Sequence, residues 1–205
     1  MGFSDEWCVF AMRNYNKLID NYHRNIDWLR LTLSELNLKS FYESEFSLLY
    51  DITVEIGECL IIKQELIKFN SNILYDELEQ QTCEFYNYLL KNNKQQTLYL
   101  ETKKKIKNYV ENVIFYSKYN KLTLIPYADL FSFDVLDARD DIEYSFTALK
   151  SGKFLSTNDI IDLYVECEQN DALLRKYIGQ IYEHFDAHVF FDPIDFPDAF
   201  FWRKK

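Results

Sequence analysis

Residues 40–70 read SFYESEFSLLYDITVEIGECLIIKQELIKFN, and the spacing of their apolar side chains decides the fold. At about 100° per residue, Phe46, Leu49, Ile56, Leu60 and Ile67 share one face of a helix, and Leu48, Ile52, Cys59 and Leu66 widen it to an arc of roughly 220°. The narrow stripe that remains carries Asp51, Glu55, Glu58 and Glu65, with Ile62 as an apolar intruder. The spacing therefore predicts a central helix covered on several sides and wet along one acidic edge. Ser40 and Glu43 fit a capping box that starts it, the serine oxygen accepting from an early N–H while the glutamate reaches back to the serine's own N–H.

Upstream, Phe3–Leu36 reads as one long amphipathic helix capped by Ser4, with a bend near Asn25. Trp7, Ala11, Tyr15, Leu18, Tyr22, Leu29, Leu33 and Leu36 turn inward, and Arg13, Lys17, Asp20, Arg24 and Asp27 form a solvated face. Downstream, Asn70-Ser71-Asn72 is a polar break. A helix then runs from about Ile73 to Leu90 on Leu74, Leu78, Phe85 and Leu89, and Asn92–Gln96 serves as a connecting turn. Thr97–Tyr119 is helical on Tyr99, Ile106, Tyr109, Val113 and Tyr116. Leu122–Pro126 reads as a brief extended segment.

Asp137 is placed to cap a helix reaching Lys150 on Ile142, Phe146 and Leu149, with Gly152 just past its end. Ser156 or Thr157 starts another helix, which Asn170-Asp171 interrupts or recaps before Leu174, Tyr177, Ile181, Phe185 and Val189 continue the rhythm. Pro193 and Pro197 close regular structure. The expectation is an all-α, single-domain bundle or array of about seven helices over residues 1–205, with an irregular aromatic segment from about residue 190.

Composition agrees with that architecture. A 48% hydrophobic and 18% aromatic chain of 205 residues has the apolar mass to bury a core. Only 4 Gly and 3 Pro argue for long helices and short connections. The four cysteines, Cys8, Cys59, Cys83 and Cys167, are widely separated and form no C-x-x-C pair, so buried thiols are expected instead of a metal or disulfide framework. Neither a basic-then-apolar leader nor a run of about 18 apolar residues occurs, and a cytoplasmic protein without a membrane span is expected.

Charge is uneven along the chain. Lys91–Lys121 holds eight Lys against two Glu. Asp129–Asp171 holds eleven acids against Arg139, Lys150 and Lys153. An acidic block attracts a basic partner at long range, and the net charge of −10 opposes nucleic acid. The residues singled out for partner binding are Asp129, Asp134, Asp137, Asp140, Asp141, Glu143, Asp159, Asp162 and Glu166. The competing reading pairs the two blocks with each other inside the fold.

No P-loop, G-x-S-x-G or G-x-G-x-x-G occurs, and glycines at 2, 57, 152 and 179 cannot build a phosphate cradle. His184 and His188 stand one helical turn apart with Asp192 beyond, the one spacing that suits a shared metal ion. The glutamate a zincin needs after the first histidine is replaced by Phe185. Residues 190–202 alternate aromatics with acids, either packed back on the domain or forming a contact surface. No metal, cofactor or catalytic residue is expected. The function expected is a protein-binding inhibitor that masks a basic partner, as an immunity protein masks a bacterial toxin. A non-catalytic helical adaptor or scaffold is the first alternative, and a metal-dependent hydrolase using His184 and His188 the second.

Overall fold

The computed structural model describes residues 5–37, 45–69, 76–119 and 131–182. Among them are six α-helices, one π-helical turn and no strand: α1 Asp5–Asn37, α2 Glu45–Lys68, α3 Asp76–Lys91, α4 Gln95–Tyr116, the π turn Ser132–Asp137, α5 Ala138–Gly152 and α6 Thr157–Tyr182. The all-α expectation holds, and six helices stand where about seven were counted. Ser4, the Ser40–Glu43 box, residues 70–75, Leu122–Pro126, Asp129, the His184/His188 pair and the C-terminal aromatic segment lie outside the described residues, as do the side chains of Trp7, Ala11 and Phe46. The chain falls into two compact units, one of Met1–Leu98 with Tyr144–Leu155 and the other of Tyr99–Glu143 with Ser156–Lys205.

In the first unit α1 packs mainly on α2 and also on α3. Tyr22, Ile26, Leu29, Leu33 and Leu36 of α1 are buried, as are Leu49, Ile52, Ile56, Cys59, Ile62 and Leu66 of α2. The burial of α2 is rotated from the expected face. Ile67 is 52% exposed and Leu60 only half-buried, whereas Ile62, on the stripe read as polar, is 6% exposed. A 220° apolar arc leaves the choice of covered side to the neighbours, and toward the C-terminal end of α2 they cover the Ile62–Leu66 side. Thr53, fully buried, donates its hydroxyl to the Leu49 carbonyl at 2.8 Å, so no polar group is stranded there.

Gly57 is the contact point between α2 and the Tyr144 end of α5. A methyl group added at Gly57 would stand 1.8 Å from the Tyr144 carbonyl oxygen and 2.4 Å from its carbon, so the two backbones touch where only hydrogen fits. Phe85 of α3 meets Phe154 edge-on at 5.1 Å, and the Gln95 amide donates to the Phe154 carbonyl at 2.9 Å. Arg30–Glu77 at 2.9 Å and Lys63–Glu79 at 3.5 Å cross between helices on the surface, where such pairs contribute about 0–1 kcal/mol each.

The α3–α4 turn is a Schellman motif. Asn93 takes the left-handed conformation (φ 54°), the Lys94 N–H donates to the Leu89 carbonyl at 2.9 Å and the Asn93 N–H to the Leu90 carbonyl at 3.3 Å. After α5 the left-handed position falls on Lys153 (φ 54°), not on Gly152 as the spacing predicts. Gly152 stays helical for a different reason: a side chain there would strike the Phe154 ring at 2.4 Å.

In the second unit α4 presents Ile106, Tyr109, Val113 and Tyr116 inward. Tyr99, expected to be inward, is half-buried at the edge. Phe131 lies edge-on to Tyr116 at 5.5 Å and to Tyr177 at 5.7 Å. Asp137 does not cap α5. The backbone is already helical at Phe131, and the π turn leads into Ala138 without a break. Nor does Asn170-Asp171 interrupt α6, because the Asn170 side chain donates to the Glu166 carbonyl at 2.9 Å while Asp171 turns into the core. Ser156 does start α6: its hydroxyl accepts from the Asp159 N–H at 3.2 Å and donates to the Asp159 carboxylate at 2.6 Å.

Two substitutions test this description. Gly57→Ala must push two backbones apart, and a loss on the order of 1–3 kcal/mol or more is expected in urea denaturation. Lys153→Gly relieves a left-handed lysine, and a gain of roughly 0.5–1 kcal/mol is expected after the added freedom of the unfolded glycine is subtracted.

Candidate functional site

The polar centre of the second unit is a buried ion pair. Arg139, whose side chain is 4% exposed, sits in the α5 stripe with Ile142, Phe146 and Leu149; Asp171 sits in the α6 stripe with Leu163, Cys167, Leu174 and Tyr177. Arg139 Nε donates to Asp171 Oδ1 at 3.1 Å and Nη2 donates to Oδ2 at 2.9 Å, a two-pronged grip on one carboxylate. Its remaining arm, Nη1, donates to Glu143 Oε2 at 3.1 Å, one turn along the same helix. The Tyr109 hydroxyl of α4 donates to Asp171 Oδ1 at 2.9 Å.

Burial alone would lower the guanidinium's pKa, but the hydrogen bonds to Asp171 and the nearby negative charges outweigh it and hold Arg139 above its ordinary value. Burial first, and then the Asp171 charge, also raise Tyr109, so its phenol keeps the proton it donates. The Cys167 thiol, one turn before Asp171, is pushed up to about 12 by burial. It remains a thiol near neutral pH and is a poor nucleophile. This arrangement suits structure better than chemistry: both charges are sealed from water and satisfied by each other.

The acidic block divides by depth. Asp140 and Asp171 are buried. Asp134 is half-buried, its carboxylate accepting from the Tyr116 hydroxyl at 2.7 Å and its carbonyl from the Asn112 amide at 3.2 Å. Glu143 is held by Arg139 and Asp159 by Ser156. Asp137 is half-buried and Asp141 is exposed. On the outer edge, Asp162 accepts from the Tyr99 hydroxyl at 3.1 Å and Glu166 pairs with Lys103 at 3.7 Å. The basic α4 and the acidic α6 are thus joined along part of their length, as the competing reading of the two charge blocks anticipated.

The feature that charge counting missed is apolar. Ile161 and Val165, one turn apart on α6, are 55% and 46% exposed. At 100° per residue, Asp162 and Glu168, both exposed, fall on either side of them. The helical period alone would have shown this, since Ile161 and Val165 lie opposite Leu163, Cys167 and Leu174.

No group of three or more His, Cys, Asp or Glu among the described residues could hold a metal ion. No described helix is long and apolar enough to cross a membrane. A groove of about 480 Å³ lies along α3, lined by Gln80, Cys83, Glu84, Asn87, Tyr88 and Lys91.

The ion pair makes a sharp thermodynamic prediction. Asp171→Leu alone strands Arg139 and should destabilise by about 3–5 kcal/mol, whereas Asp171→Leu with Arg139→Met should recover most of that loss in thermal or urea melts.

No protein-family model, no curated protein and no solved structure matches this chain, so a functional reading rests on its own surface and buried groups.

Proposed function

We propose that this protein is a non-catalytic helical binding protein that engages a basic protein partner through the acidic surface of its second unit. An immunity protein that neutralises a bacterial toxin in the cytoplasm is the specific form of that reading. The observation that carries it is the outer face of α6, where exposed Ile161 and Val165 are bordered by exposed Asp162 and Glu168. An apolar centre with a charged rim is the anatomy of a protein interface, and carboxylates at the rim favour a partner with Lys and Arg around its own apolar contact. Arg175 and Lys176, both exposed toward the C-terminal end of α6, confine the acidic surface to the helix's first half.

A helical adaptor whose charges are incidental is the second reading. It is favoured by the pairs Arg139–Glu143, Lys103–Glu166 and Tyr99–Asp162, which satisfy much of the block internally.

Affinity capture from the native cell at low salt, followed by association-rate measurements on the captured partner, separates the two. Under the first reading the rate falls steeply as salt shortens the Debye length below about 10 Å. Asp162→Lys with Glu168→Lys should slow association at least tenfold, and the matched reversal Asp20→Lys with Asp76→Lys, on the first unit, should slow it far less. Equal effects from both reversals, or a rate indifferent to salt, would transfer the conclusion to the adaptor.

A further inference from the structure

We draw no further inference here: the strongest candidate, the outer face of α4 in the second unit, where exposed Leu100, Ile114 and Phe115 stand among lysines, already pairs Lys103 with Glu166 and Lys107 with Glu111 within the chain, and nothing in the structure shows what covers it.

Discussion

The second unit depends on the grip of Arg139 on Asp171. Apolar helix faces can slide past one another by a turn with little penalty, because one leucine packs much like the next. A guanidinium that meets both oxygens of one carboxylate cannot slide. With Tyr109 donating to the same carboxylate, the register of α5 against α6 and of α4 against both is set at one point. The desolvation of two charges offsets much of their attraction, so the pair adds more to the uniqueness of the packing than to its free energy. The π turn before α5 serves the same end. Phe131 and Leu136, five residues apart, are both buried, whereas an unbroken α-helix would turn them roughly 140° from each other.

The sequence was most legible where periodicity was strict. Tyr22–Leu36 of α1, Leu78–Leu89 of α3, Ile106–Tyr116 of α4 and Ile142–Leu149 of α5 face inward as their spacing predicts. It was least legible where a residue's usual habit conflicts with its position. Asp171 next to Asn170 resembles a helix stop, yet it stands in register with Leu163, Cys167 and Leu174, and a charge within an apolar stripe signals a buried partner. Arg139 gives the matching signal in the α5 stripe. Gly152 resembles a terminator, but the ring of Phe154 determines its identity, a contact between neighbours that no propensity encodes. In α2 the apolar arc is so wide that only tertiary packing selects between Leu60 and Ile62.

Charge shows the difference between a linear count and a folded surface. Along the chain the lysine-rich and acid-rich stretches look like two opposed poles. In the folded second unit part of that opposition is spent at short range, with Lys103 against Glu166 and Tyr99 against Asp162. Asp140 and Asp171 are moreover buried, so the exposed negative charge of this unit comes from fewer carboxylates than a linear count suggests.

The first unit is assembled from pieces distant in the chain. Gly57 meets Tyr144, Phe85 meets Phe154, and Gln95 reaches the Phe154 carbonyl. On a ribosome that emits residues in order, α1, α2 and α3 emerge long before the segment that covers Gly57 and Phe85. Until Leu155 has left the exit tunnel, the glycine notch and the aromatic face of α3 are open to whatever is nearby. Residues of the second unit are made in that interval, so the nascent chain must hold its first three helices soluble while waiting for their closing piece.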